Sequence, residues 1–197
     1  MRSELKLMAD EDLARQSQAG SLEAFEELVS RYEHRLYAFA MQWRHNPSEA
    51  REVTQDAFVR AFQALAQFDA RRAFAPWLLA ILRRKCVDYY RRGQPAAEAI
   101  APETPDFDDP AELLSRREEG EEVWRLARQH LSMDQYQAIW LRYAEDLDIG
   151  QIATVLGKSQ THVKVLLFRA RRKLAPSLGR ARTETPPLMA AAEGGNS

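Results

Sequence analysis

The sequence predicts an all-α protein: two small helical domains joined by an acidic flexible linker, the C-terminal one a helix-turn-helix. Three observations predict it. Apolar residues recur at helical spacing along most of the chain, and β-branched runs at period two are few. Cap and breaker residues cut that pattern into segments of helical length. Between Gly93 and Pro110 the composition changes abruptly to GQPAAEAIAPETPDFDDP, rich in proline and acid, which marks the boundary between the domains.

In the first domain, residues 10–92, helices are expected over 10–19, 22–44, 48–67 and 75–92. Gly20 and Ser21 separate the first two, Asn46-Pro47-Ser48 makes a turn and cap, and Pro76 suits a first helical turn. In the third helix Val53, Ala57, Ala61, Phe62 and Leu65 are expected to face the core. That leaves Glu52, Gln55, Asp56 and Val59 on a polar face suited to a protein partner. In the fourth, Trp77, Leu78, Ile81, Leu82 and Val87 make the inward stripe, with Arg83, Arg84, Tyr90, Arg91 and Arg92 outside.

The second domain, residues 111–178, is expected to hold helices over 111–130, 133–145, 149–156 and 160–174. Asp109-Pro110 starts the first of these, and Gly120 weakens or bends it. Asp148 can cap the third, whose stripe is Ile149, Ile152, Ala153, Val155 and Leu156. Gly157 supplies the left-handed exit, and Ser159 caps the last helix. Here Val163, Leu166, Leu167, Ala170 and Leu174 pack inward, leaving Gln160, Thr161, His162, Lys164, Arg169, Arg171, Arg172 and Lys173 in water. A polar N-terminal cluster to meet base edges, followed by cations to meet phosphates, is what a recognition helix requires. Residues 183–197 read as a low-complexity, disordered tail.

The charge is segregated. The chain of 197 residues carries a formal net charge of −1, yet between Lys158 and Arg182 there are eight cations and no Asp or Glu. A merely solvated face mixes both signs, so this one points to a polyanion. A second basic element runs from Arg71 to Arg92, with seven cations against Asp88 and aromatics interleaved. Cations tracking phosphates beside rings that stack on bases make a platform for single-stranded nucleic acid. From Gly93 to Glu122 the balance reverses, with ten acids against Arg116 and Arg117.

Other classes are poorly served. The longest apolar runs, such as Trp77 to Leu82, are far too short to span a bilayer, and no membrane insertion or secretion is expected. The single cysteine, Cys86, fits a reducing cytoplasm. Its basic neighbours could lower its pKa, but no histidine is near it, and His34, His45, His130 and His162 have no metal-ligand spacing. No catalysis, metal or cofactor is therefore expected. An activator or repressor using only the helix-turn-helix stays open at this point, although it has no use for a single-strand platform.

Read in order, DLARQSQAGSLEAFEELVSRY, EVTQDAF at 52–58, FAPWLLAILRRKCVDYYRR at 74–92 and LSMDQYQAIWLRYAEDLDIGQIATVLGKSQTHVKVLLFRARRKL at 131–174 resemble a bacterial RNA polymerase sigma factor. The resemblance is to the small, two-domain extracytoplasmic-function group, and it covers about Asp10 to Leu174. It implies a factor that directs promoter-specific transcription initiation with core RNA polymerase. It assigns Glu52, Gln55, Asp56 and Phe58 to docking on the polymerase β′ coiled coil, and the C-terminal domain to the β flap. The loop from Phe68 to Phe74 and the helix after it match the part that opens the minus-ten element and holds a flipped base. Its candidate contacts are Phe68, Arg71, Arg72, Phe74, Trp77, Arg83, Arg84, Asp88 and Arg91. Ser159, Gln160, Thr161, His162, Lys164, Val165, Arg169, Arg171 and Arg172 match the helix that reads the minus-thirty-five duplex.

Five positions depart from the family pattern. Glu52 replaces the common Asp, Arg84 the favoured Asn, Tyr136 a common Arg, and Thr161-His162 the usual Gly-Thr. A guanidinium is an obligate donor, so base preference at Arg84 does not transfer from relatives. Thr54, on the docking helix, is a candidate phosphorylation switch. An anti-sigma factor is an expected partner because most relatives have one.

Overall fold

Every regular element among the described residues is helical. The computed structural model describes residues 2–44, 46–92 and 123–183. The expected linker at 93–110, the start of the helix expected at 111–130 with Gly120, and the tail beyond 183 lie outside them.

The N-terminal group contains α1 (Arg2–Leu5), α2 (Asp10–Gln18), α3 (Leu22–Arg44), α4 (Pro47–Ala64) and α5 (Phe74–Arg92), with a single 3-10 turn at Leu65–Gln67. The long α3 is its spine. Leu28, Tyr32, Leu36, Phe39 and Ala40 recur at steps of three and four and are all buried. Burying each of the larger apolar side chains stabilises the fold by roughly 1.5–3 kcal/mol. Helix α1 carries no signal in the sequence, and at four residues it is too short to persist alone. It is held from outside, since Arg31 donates from Nη2 to the Leu5 carbonyl and from Nη1 to the Met8 carbonyl, both at 2.8 Å.

The start of α4 is capped by Asn46, whose Oδ1 accepts from the Ser48 and Glu49 amides, with Pro47 at the first helical position. Its inward face is Ala50, Val53, Thr54, Ala57 and Ala61. Phe62, expected inside, is 46% exposed and packs edge-on against Phe25 at 5.0 Å between ring centroids. The alanines bring α4 so close to its neighbours that a phenyl ring off their line is left at the rim.

On α5 the buried line runs Leu78, Leu79, Leu82, Cys86 and Tyr90, with Trp77, Ile81 and Val87 half-buried. Tyr90, expected outside, stacks on Trp43 at 5.8 Å. It continues the i, i+4 line through 78, 82 and 86.

Burial also decides the chemistry of Cys86. Desolvation pushes its thiol up to about 12, against the weaker pull of Arg83, so the activation suggested by its basic neighbours does not arise. The folded chain is expected to resist iodoacetamide at pH 8 and to react once denatured. Mass spectrometry of the alkylated protein measures this, and rapid labelling of the native chain would refute it.

The C-terminal group contains α6 (residues 123–130), α7 (Met133–Tyr143), α8 (Ile149–Leu156) and α9 (Gln160–Thr183). Tyr136 is buried beside Trp124 and Trp140 and receives a 3.4 Å hydrogen bond from Arg128. The last helix runs past its expected end at 174 and through Pro176. A proline there removes one backbone hydrogen bond, but its fixed φ is itself helical.

The two groups share one apolar core, with α8 packed along α5. Polar contacts flank that packing. Arg35 of α3 binds the Glu145 carboxylate through Nε, at 2.8 Å, and Nη2, and its guanidinium lies 4.9 Å from the centre of the Tyr32 ring. Arg83 of α5 reaches Gln137 Oε1 at 3.2 Å and Asp134 Oδ1 at 3.4 Å. The sequence offered a tether and two independent grips; the fold brings the grips together.

Candidate nucleic-acid interface

The helix-turn-helix forms from local chemistry. Asp148 and Gln151 cap each other reciprocally, the Gln151 amide donating to Asp148 Oδ1 at 2.8 Å and the Asp148 amide to Gln151 Oε1 at 2.9 Å. Gly157 sits at φ 62°, the left-handed conformation that only a residue without Cβ adopts cheaply. Ser159 Oγ then accepts from the His162 amide at 3.2 Å to start α9.

The faces of α9 divide cleanly. Val163, Leu166, Leu167, Ala170 and Leu174 are buried, whereas Ser159, Gln160, Thr161, His162, Lys164, Val165, Arg169, Arg171, Arg172 and Lys173 are exposed. Arg171 is steered by Tyr143, whose hydroxyl accepts from its Nε at 3.0 Å. Lys158, counted in the cationic run, is committed to Asp134 at 3.0 Å. One residue of this surface was missed. Phe168 is 63% exposed, one helical turn from Val165, and helical spacing from Val165 would have found it.

The second basic surface is less uniform. Arg71, Arg72, Arg84, Asp88 and Arg91 are exposed. Arg83 is turned toward the C-terminal group, as described above. Phe68 and Phe74, expected as ring contacts for bases, are buried. Together with Trp77 they form a triangle of rings 4.9–5.4 Å apart, and Phe74 also packs edge-on against Tyr32 at 5.5 Å. They are the floor of the loop, Phe74 at 1% exposure and Phe68 at 6%. Half-buried Trp77 and Phe68 both border a cleft of about 530 Å³, lined also by Asp69, Arg72 and Pro76 on one side and by Asp148, Gln151 and Thr154 of the helix-turn-helix on the other.

Above that floor the turn at 69–72 is closed by charge. Asp69 Oδ1 accepts from the Arg71 amide at 3.1 Å and from its Nε at 2.9 Å, while the Arg72 amide reaches the Asp69 carbonyl at 2.9 Å. The Arg71 guanidinium and then its amide hold the Asp69 carboxyl down at about 2.

A third surface lies on α4. Glu52, Gln55 and Asp56 are exposed and Phe58 is half-buried. Tyr89 donates to Glu52 at 3.0 Å, and Lys85 lies 3.4 Å from Asp56, so α5 pins this acidic face. Val59, 57% exposed, adds an apolar neighbour. Thr54 is buried at 5% exposure and therefore presents no hydroxyl to a kinase, which removes the structural basis for a switch there.

Among the described residues no group of His, Cys, Asp and Glu could hold a metal ion, and no helix is long and apolar enough to cross a membrane.

Comparison with known proteins places these surfaces in a family. Residues 28–95 match the family model for Sigma-70 region 2, and residues 123–174 match that for Sigma-70, region 4. The chain is 29% identical over 180 residues to the RNA polymerase sigma-H factor of Pseudomonas aeruginosa, covering 86% of this chain and 93% of the relative. It is 28% identical over 173 residues to the RNA polymerase sigma factor YlaC of Bacillus subtilis, covering 82% and 96%. Among solved structures, CnrH in complex with the cytosolic domain of CnrY superposes with a TM-score of 0.63 at 28% identity, covering 88% of this chain and 99% of that one.

Proposed function

Because the chain belongs to the sigma-70 family, as a sigma factor of the extracytoplasmic-function group with regions 2 and 4, we propose how its three surfaces divide the work of promoter-specific transcription initiation with RNA polymerase. The exposed face of α9 reads the minus-thirty-five element as duplex, with Gln160, Thr161, His162 and Val165 toward base edges and Lys164, Arg169, Arg171 and Arg172 toward phosphates. Phe168, beside Val165, adds apolar contact to a thymine methyl. The loop between α4 and α5 opens the minus-ten element, with Arg71, Arg72, Arg84 and Arg91 on the strand backbone and Trp77 against an unstacked base. Glu52, Gln55, Asp56 and Phe58 dock on the β′ coiled coil of core polymerase, and the C-terminal group contacts the β flap.

The single observation that carries this reading is the two-faced α9. Its inward face is fully apolar, and the outward one is cationic without any acid between Lys158 and Arg182. A duplex reader alone would suit an ordinary activator; the polar face of α4 and the basic loop beside it favour a factor that works on polymerase. Chemistry then belongs to the polymerase, and this chain acts in the cytoplasm as a non-catalytic specificity subunit without a cofactor. An anti-sigma factor is a further partner on this reading, in keeping with CnrH, whose structure holds a second protein, the cytosolic domain of CnrY.

Purified chain added to core polymerase is expected to start transcription at a cognate promoter and to bind core in competition with another sigma factor. Failure to bind core where the competitor binds would overturn the reading.

A further inference from the structure

We propose that Glu11 and Gln18, on α2, are positioning residues for promoter opening: they fix both ends of the loop between α4 and α5 without touching DNA. The inference rests on the reading of that loop as the minus-ten opening element. Both residues precede residue 28, where the match to region 2 begins.

Gln18 holds the near end. Its Nε2 donates to the carbonyls of Leu65 and Phe68, each at 2.8 Å. These bracket the 3-10 turn that ends α4, whose own backbone bond runs from the Phe68 amide to the Leu65 carbonyl at 3.0 Å. Glu11 holds the far end. Its Oε1 accepts from the Phe74 amide at 3.0 Å, which satisfies an orphan donor at the first residue of α5 and sets a carboxylate at the positive end of that helix. The two side chains stand about two helical turns apart, so α2 is a rigid strut across the base of the loop.

The strut is anchored on its other face. Asp10 accepts from Arg31 Nη1 at 2.7 Å and from the Tyr32 hydroxyl, and Leu13 and Ala14 are fully buried. Arg31 in turn binds Glu27 at 2.9 Å. The ring triangle supports the loop from below. The three hydrogen bonds from α2 fix where the loop begins and ends, and thereby where Arg71, Arg72 and the Trp77 cleft lie.

Three variants test this with core polymerase on a duplex promoter: Gln18→Leu with Glu11→Ala, Glu11→Gln alone, and Arg72→Ala. The double variant is expected to form open complex about tenfold more slowly, the effect of losing hydrogen bonds of ordinary net strength. Its discrimination between bases at the flipped minus-ten position should relax and its melting temperature fall by a few degrees, as the loss of these hydrogen bonds requires, while core binding and minus-thirty-five duplex binding stay unchanged. On a pre-melted promoter the opening defect should disappear. Glu11→Gln keeps an acceptor oxygen and should behave as wild type. Wild-type opening and base discrimination in the double variant overturn the proposal, as does a Glu11→Gln variant as impaired as the double variant. Arg72→Ala separates the two levels. If it slows opening while the double variant does not, only the strut fails; if neither does, the assignment of the loop fails.

Discussion

Arg35→Ala is expected to split the thermal unfolding of this protein into two transitions. Glu145, whose side chain is 5% exposed, has its carboxylate against Arg35 and would be left buried without its counter-charge. Removing one partner of such a pair costs on the order of 3 kcal/mol, because the remaining charge has lost its compensation and not its burial. The pair joins α3 to the end of α7, so the loss falls on the contact between the two helical groups. Scanning calorimetry measures it. Glu145→Gln should cost less, since an amide is cheaper to bury than a carboxylate, and Arg35→Met with Glu145→Leu should recover most of the loss. One transition at an unchanged temperature in Arg35→Ala would show that the pair does not support the packing of α8 on α5.

The largest functional effect is expected from Lys164→Ala combined with Arg169→Ala. Both side chains are exposed on the outward face of α9 and stand opposite the buried line of Val163, Leu166 and Ala170. Each cation that meets a phosphate releases counterions, so losing two should lower the salt slope of minus-thirty-five binding by about 1.8 and weaken binding at least about tenfold at physiological salt. Stability should not change. Lys158→Ala is the contrast, because its ammonium is bound to Asp134 at 3.0 Å and its loss should leave the slope nearly as it was. Fluorescence anisotropy across a salt series resolves both, and a double variant with the wild-type slope would remove α9 from the phosphate backbone.

Local chemistry explains why the helix-turn-helix was legible residue by residue. Asp148, Gly157 and Ser159 each act through their own backbone or that of a near neighbour, and the stripe of α9 needs only the period of a helix. The same holds for Asn46 and Pro47 at the start of α4. Errors arose where two faces of a helix were both apolar enough to be inside. Phe62 and Tyr90 were each assigned to the wrong face, because alanines set the closest approach on α4 and because the line through Cys86 continues on α5. Phe68 and Phe74, offered as base contacts by the resemblance, are buried for a different reason. An aromatic residue in a basic loop has one composition whether its face meets a base or another ring.

By itself the sequence determined the class of the fold, the capped helix-turn-helix and the separation of positive charge into two elements, since these follow from period, cap chemistry and counting. Tertiary structure alone decided which cations are free, which rings are floor and how the two groups meet. Arg83 and Lys158 are tied to Asp134, Arg35 to Glu145, and α2 to both ends of the loop between α4 and α5, across separations of 24 to 110 residues. Periodicity shows which side of a helix faces inward; the partner that side meets depends on contacts between residues that sequence spacing does not relate.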